Sequence, residues 1–591
     1  MDDPGNIIVI DDNASSTSSD TLDHETRSVT IDNDSSSSSS YFLRQYTRTE
    51  TPFTSLPQEV VDLTENFLTD SELFDEGDYV TDECLEVLLE NGLYVQHTSG
   101  SPCPAQLELP ERKPLEEIIS DGIIYKLGQS VELHDDTFFR ICSIWENTKG
   151  EIYFQGRRLL KVKDHIGTYL PRWNNELVWI ANEAAEIPLE LVRRFVSVCF
   201  TNYRYSNRDQ QKKCSKYLFC RLKEILRKET TSVEYLTYEE ADTGYRIIPA
   251  ALRHSWRGET PLFGSEEHQA PVIVLDEVEN PEQQICRKYT FGDAFCGAGG
   301  VSCGAQTAGL HIKWAFDKSQ NAAATYRLNF PRVECENSDI FSFLTNNEDF
   351  LRVDITHGSP PCQTFSPAHT IAGPNDDANS ACIFSCGDLI RKAKPRIHTM
   401  EETSGLCERH KEIFFGVIRD YIEIGYSVRW AVLKFMEYGV PQIRKRLVVI
   451  ASGPGETLPP IPRATHGLPE TGLREIATIN RVISSIPAGT PDHDVENARA
   501  LRKVPFDGNR LAKTITCGGG DNYHPSGERC FTIRESACLQ TFPLNFRFQQ
   551  DARTQIGNAV PPVFAKAIYG EIIRSLRETD KRESSRSLPG P

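Results

Sequence analysis

The sequence predicts an α/β protein whose C-terminal half is a Rossmann-like parallel-sheet domain, preceded by a β-rich module and a disordered acidic N-terminus. Three observations carry this. From about Tyr289 to Arg577, strand-like runs alternate with Gly-rich turns and helical patterns, the mark of βαβ units. From about Gly122, short strand-like runs follow one another closely, as in a small barrel or sandwich. Before that, Ser, Asp and Glu dominate and Ser35 to Ser40 is unbroken serine. Such a segment has too little apolar surface to offset its ordering entropy. At 591 residues the chain is also too long for a single core.

Charge is distributed unevenly. The net charge is −20, but Met1 to Gly100 holds 22 acidic and 3 basic residues, so the rest is nearly neutral. The acidic balance therefore does not exclude a nucleic-acid cleft in the folded part. The 17 cysteines include no C-x-x-C pair, so no zinc site or other metal centre is expected. Met1-Asp2-Asp3-Pro4 opens no secretory signal, and runs such as Val272 to Leu275 are far too short to span a membrane. A reducing intracellular compartment with free thiols is the expectation.

In the tail (residues 1–110), Tyr79 to Tyr94 has some helical periodicity and reads as a short docking helix. Ile7 to Asp12 and Val60 to Glu65 each set β-branched residues beside acids and resemble SUMO-interacting motifs. The β-rich stretch begins with Ile123-Ile124-Tyr125 and Ser130 to Leu133. Phe138 to Trp145 and Gly150 to Phe154 follow, divided by the turn Asn147 to Gly150. Glu176 to Trp179 and Phe195 to Val198 are the pieces that would close it. The order of strand start, Trp-containing strand, basic segment and Asn175-Glu176-Leu177 resembles a bromo-adjacent-homology (BAH) module over residues 119–260. That resemblance implies a chromatin or protein partner; the plainer alternative is an unrelated β-rich spacer. The α/β domain is placed at 289–577, with residues 578–591 a frayed end.

The chemistry lies in that domain. Phe291 to Phe295 reads as a buried strand running into Cys296-Gly297-Ala298-Gly299-Gly300, with a helix from near Val301. Glycines there let the backbone approach a ligand at a helix N-terminus. Ile312 to Asp317 reads as a second strand ending in an acid, 20 residues beyond Gly297. An acid at that place accepts ribose hydroxyls; alternatively Asp317 caps a helix starting at Lys318. Asp339-Ile340 ends a third candidate strand, placed to meet an adenine edge and face. The Gly-rich turn has no P-loop lysine after it, so an adenosine ligand without a triphosphate fits. Asp354 to Ser366 then leads a strand into Pro360-Pro361 and presents Cys362 directly after them. A nucleophilic thiol needs such a rigid mount and a lowered pKa, since a free thiol at ~8.5 is mostly protonated at neutral pH.

With Pro360-Pro361-Cys362-Gln363 in view, the chain resembles the cytosine-C5 methyltransferases, and their other motifs follow in order. Phe295-x-Gly297-x-Gly299-Gly300 resembles the first. Gln442-x-Arg444-x-Arg446, Arg534-Glu535 to Phe542-Pro543 and Gly557-Asn558-Ala559-Val560-Pro561 resemble the later ones. The resemblance implies S-adenosyl-L-methionine as cofactor, held by Phe295, Gly297, Gly299, Asp317, Asp339, Ile340, Asn558 and Val560. It implies double-stranded DNA as substrate, with a flipped-out base, and a nuclear location. Cys362 would attack C6 of cytosine, Glu401 would hold or protonate N3, and Arg446 and Arg444 would clamp the base carbonyl or orient Glu401. Glu401-Glu402-Thr403 departs from the family's Glu-Asn-Val and looks like the fungal RID-type subfamily, linked to silencing of repeats; Glu402 is expected to add a charge. The recognition region, about 453–533, is modest. It offers the loop Thr514 to Gly520, with His524, Arg529 and Arg534 placed to meet phosphates. Two alternatives stand beside this reading: an RNA methyltransferase on the same fold, and a DNA-binding scaffold with little or no activity.

Deleting Met1 to Gly100 removes nearly all of the net negative charge. Non-specific DNA affinity should rise, most clearly at low salt. A fluorescence-anisotropy titration across salt concentrations checks this, and unchanged low-salt binding would mean the tail does not compete with DNA.

Overall fold

A computed structural model describes residues 112–165, 169–170, 175–204, 218–258, 288–365, 376–517 and 522–586. The acidic tail, the Tyr79 to Tyr94 patch, both SUMO-motif-like pieces and Gly518 to Gly520 lie outside the described residues.

The β-rich module is built from β1 (Lys113–Leu115), β2 (Glu117–Ser120), β3 (Ile123–Lys126), β4 (Ser130–Leu133), β5 (Phe138–Glu146) and β6 (Ile152–Lys161). It continues with β7 (Glu176–Pro188), β8 (Val192–Val196), β9 (Val198–Phe200), β10 (Leu218–Leu226) and β11 (Thr231–Tyr235). Strands β4, β5, β6, β7 and β10 pair in that order. The β8–β9 run pairs with β4 at one end and with β10 at the other, which closes the ring of pairings. Apolar positions are buried on both faces of its strands: Val131, Phe139, Ile141 and Phe154 in one cluster, Phe138, Leu159, Leu177 and Phe200 in another. Helix α1 (Pro249–Arg257) starts on its proline and stops at Gly258 in the left-handed region.

The C-terminal domain follows the βαβ pattern. Its elements are β12 (Thr290–Ala294), α2 (Gly300–Ala308), β13 (His311–Phe316), α3 (Gln320–Asn329), β14 (Glu334–Glu336) and α4 (Ile340–Phe343). Next come β15 (Ile355–Gly358), α5 (Asp376–Ala393), β16 (Ile397–Thr403), α6 (Lys411–Ile424), β17 (Ser427–Lys434), β18 (Gln442–Ile443) and β19 (Lys445–Ser452). The sheet runs β14-β13-β12-β15-β16-β19-β17, all parallel except β19, which is antiparallel to both neighbours. β15 and β16 are buried along their whole length, as strands covered on both faces must be. Beyond, β20 (Ala512–Lys513) pairs with β18, and α7 (Ile533–Leu539), α8 (Ala552–Asn558) and α9 (Pro562–Arg586) complete the domain. Among the described residues, no helix is long and apolar enough to cross a membrane.

Two expectations change here. The third strand is only Glu334–Glu336, and Asp339 is the N-cap of α4 rather than the end of a strand. The ordered chain also passes Arg577: α9 continues to Arg586, because Asp580 accepts from Arg396 at 2.6 Å and from the Tyr289 hydroxyl at 2.7 Å.

The module and the catalytic sheet are continuous. β11 adds antiparallel to the edge strand β17, with Thr231 opposite Trp430 and Val233 opposite Val428. Val178, Leu222, Val233 and Tyr235 share one core cluster with Tyr421, Tyr426 and Val428. Arg429 meets Glu234 at 2.8 Å across the seam.

α2 lies tight against α9. A Cβ on Gly304 would stand 2.4 Å from the Pro562 carbonyl and 2.5 Å from the Ala565 methyl, and one on Gly300 2.3 Å from the Val560 carbonyl. Gly304→Ala should therefore destabilise the fold by about 1–3 kcal/mol through overpacking. Urea unfolding checks this, and an unchanged midpoint would show that the two helices separate freely.

Candidate active site

The parallel register sets Gly358 of β15 beside Met400 of β16. The chain leaving β15 turns through Pro360 and Pro361, and the Cys362 carbonyl accepts the Phe365 N–H at 3.1 Å in a short 3-10 turn. Cys362 is half-buried. Burial, then the carboxyls of Glu402 and Glu401, push its thiol up to about 12; Arg446 and Arg444 pull the other way. The resting group is a thiol.

Glu401 is buried near the end of β16. Thr403 opposes Arg446 across the β16–β19 pair, so Arg446 is the diagonal neighbour of Glu401 on the same face. The Arg446 Nε stands 3.0 Å from Glu401 Oε1. The contact is an ion pair without hydrogen-bond alignment, so Oε1 keeps unused acceptor capacity in a buried place. Glu402 is fully buried, and burial together with Glu401 holds its carboxyl well above the usual carboxylate range. Burial thus works against the charge expected of Glu402, since a carboxylate without water around it is costly.

Arg444 does something other than clamp a base. It is buried and donates to the carbonyls of Ile515 (3.2 Å), Gly557 (3.2 Å) and Ala559 (3.3 Å), tying three distant segments together. Burial lowers it to about 9, and the neighbouring Arg446 adds to this. Gln442 joins the same knot through the Leu539 carbonyl at 3.1 Å. Arg534, expected at phosphates, is also fully buried and donates to the carbonyls of Pro491, Pro543 and Phe546. Arg529 is held by Glu535 through two bonds of 2.7 and 2.8 Å, and Glu535 closes a capping box with Thr532. His524 stays near the surface, bonded to Ser526 at 3.0 Å.

At the same C-terminal edge of the sheet, where Ala294 of β12 lies beside Gly358 of β15, Phe295 and Gly297 both have positive φ, 56° and 53°, in the turn after β12. A Cβ on Gly297 would point into open space. On Gly299 it would strike the rings of Phe330 and Tyr326, so that glycine serves packing. Asp317 accepts the Gly297 N–H at 2.8 Å and the Ser319 N–H at 2.7 Å. The helix cap is Ser319, not Asp317, which instead pins the Gly-rich turn to the end of β13. Burial raises its pKa. Asp339 accepts from Phe341 and Ser342 N–H groups, which lower its pKa. Ile340 is 1% exposed in the core with Trp314 and Phe316, so it offers no face to a ligand; its neighbour Phe341, 60% exposed, does. The sequence reading missed Phe341; an aromatic two residues after the capping Asp339 was the available signal. Asn558 is exposed at the end of α8 and accepts from Cys517 at 2.8 Å, while Val560 is buried against α2. An open-sided glycine turn, a mostly buried carboxyl bound to it and an exposed aromatic beyond fit an adenosine-type cofactor. Among the described residues, no group of three His, Cys, Asp or Glu could hold a metal ion.

A Rossmann-like sheet with an adenosine-fitted turn at one strand end and a mounted thiol at the neighbouring one defines an S-adenosylmethionine-dependent methyltransferase. The family model for C-5 cytosine-specific DNA methylases matches residues 289–499 and 493–574. The chain is 30% identical over 312 residues to the Type II methyltransferase M.NgoFVII of Neisseria gonorrhoeae, covering 45% of this chain and 82% of that protein. It is 28% identical to M1.HphI of Haemophilus parahaemolyticus, over 49% of this chain and 88% of that one. The solved S. pombe Dnmt2 methyltransferase is 16% identical, covers 49% of this chain and 99% of that chain, and has a TM-score of 0.37. The chain belongs to the C-5 cytosine-specific DNA methylase family, an enzyme family that uses S-adenosyl-L-methionine as methyl donor.

Asp317→Ala removes the carboxylate beside Gly297 and should weaken S-adenosyl-L-methionine binding by roughly 1.5–3 kcal/mol, the worth of a charge-assisted hydrogen bond. Calorimetry measures this, and unchanged affinity would restrict Asp317 to pinning the turn.

Proposed function

We propose that the enzyme methylates C5 of a flipped-out cytosine in duplex DNA through a covalent adduct on Cys362. The observation that carries this is the half-buried thiol and the buried Glu401, paired with Arg446, at the ends of two neighbouring strands. The Cys362 sulfur bonds to C6 while Glu401, oriented by Arg446, bridges to ring N3 as a proton donor; C5 thereby gains the electron density of an enamine. S-adenosyl-L-methionine, when bound, supplies the electrophilic methyl group. Loss of the C5 proton then lets the S–C6 bond break. Phe295, Gly297, Asp317, Asp339 and Asn558 form the cofactor side, with Phe341 the aromatic face for the purine. Arg444 is a positioning residue that holds the loop before Gly518 against α8.

The thiol at about 12 bears on the reading of a weak or inactive DNA-binding scaffold. An active enzyme must lower that value once DNA and cofactor displace water and engage Arg446. In the wider setting, the ring-closed module resembles a BAH domain that reads a chromatin or protein partner. The Glu-x-Thr variant supports reading the enzyme as RID-type, acting in fungal silencing in the nucleus, with SUMO as a candidate partner of residues 7–12 and 60–65.

Duplex DNA carrying 5-fluorocytosine has no C5 proton to release, so a working nucleophile is trapped on it. The wild type should give a denaturation-resistant complex and Cys362→Ser none, with cofactor binding nearly intact. Methylation persisting in the variant would remove Cys362 from its role. Absence of any wild-type adduct, together with tight DNA binding, would favour the scaffold.

A further inference from the structure

The mechanism leaves one group at the site unused. Glu402 follows Glu401 on β16 and takes the opposite face of the strand, with Met400, which packs beside Cys386 and Phe365. Its Oε2 accepts only the adjoining Thr403 N–H at 3.0 Å, and Oε1 has no hydrogen-bond partner among the described residues. The groups that act on it come from each element around it. Glu401 lies on its own strand and Arg446 on β19. Cys362 follows β15, and Cys386 lies on α5. Arg446 is already engaged by Glu401. Cys386 is pushed up to about 12 by burial and contributes no charge. A carboxylate at Glu402 would thus be buried and unpaired beside a second carboxylate.

We propose that Glu402 serves the reaction as an uncharged carboxylic acid, a positioning residue whose ionisation holds back that of Cys362 and so limits the enzyme from the alkaline side. With Glu402 protonated, Arg446 and Arg444 act on the Cys362 thiolate without a charge at Glu402 to oppose them. A carboxylate at Glu402 adds that opposing charge and favours the protonated thiol. A protonated carboxyl also has the shape of a carboxamide, one donor beside one acceptor, so it stands in for the asparagine of the family pattern. The direction of its own titration agrees: burial and Glu401 raise it, and only Arg446 and the Thr403 N–H oppose.

This rests on Cys362 being the reacting thiol, so the test reads the thiol directly. Full-length wild type and Glu402→Gln are treated with iodoacetamide from mildly acidic to alkaline pH, and alkylation at the Cys362 peptide is followed by mass spectrometry. The two rates should converge at the acid end. The variant should then lead increasingly as pH rises, by up to roughly tenfold, the change in thiolate fraction that one pKa unit represents. Parallel curves would overturn the proposal. If Cys362 is not the nucleophile, the curves still diverge but 5-fluorocytosine DNA traps neither protein, which separates the two failures. Should the glutamine variant not fold, Glu402→Asn replaces it. The wild type alone also decides: its rate should climb less than about tenfold per pH unit, the rise of a thiol titrating independently below its pKa. A full tenfold rise per unit throughout would sink the idea.

Discussion

The parallel register between β15 and β16 governs the site. Four residue pairs, from Ile355–Ile397 to Gly358–Met400, lock two buried strands side by side. The next residues on each strand are thereby committed to a shared space: Cys362 on one side, Glu401 and Glu402 on the other. Because side chains alternate along β16, a slip of one residue would exchange the two glutamates. The group paired with Arg446 would then go to the core, and the solitary acid would face the substrate. The fold distinguishes two adjacent, chemically identical side chains by nothing more than which face they occupy.

Much of this was legible in the sequence, and the parts that were not share a cause. The strands ending at Ala294 and Gly358 announce themselves as apolar runs broken by Gly or Pro, which is local information. The three-residue β14 is too short to show a period, so the sequence pattern presents Asp339 as a strand end although its side chain caps α4. Arginines misled in the same way. Arg444 and Arg534 look like ligands because guanidinium groups commonly meet anions. Here their partners are main-chain carbonyls brought close by folding, such as Gly557 and Ala559 for Arg444 and Phe546 for Arg534. No spacing rule reveals carbonyls 113 and 115 residues from Arg444, or 9, 12 and 43 residues from Arg534. Glu402 is the sharpest case: the letter gives a negative charge, and burial works against it.

The buried polar groups also show how the domain is held around a site that must accept a large substrate. Arg444 and Arg534 each satisfy several carbonyls at once, and Gln442 donates to the Leu539 carbonyl and the Gln540 side-chain oxygen while accepting the Ile515 N–H. Such knots replace the ladders that strands and helices provide. They fix the irregular recognition region without consuming the exposed surface that DNA would need.

The seam between β11 and β17 makes the domain matched by the family model different from the unit that can stand alone. β17 is an outer strand of the catalytic sheet, and its free edge is filled by β11 of the module, with Val233, Tyr235 and Leu222 roofing the same apolar cluster. Cut the chain before Tyr289 and that edge becomes a row of unpaired amides over bare Val428 and Tyr426, open to any passing strand. What descent delimits as a complete enzyme is, in mechanical terms, a sheet with one margin unhemmed.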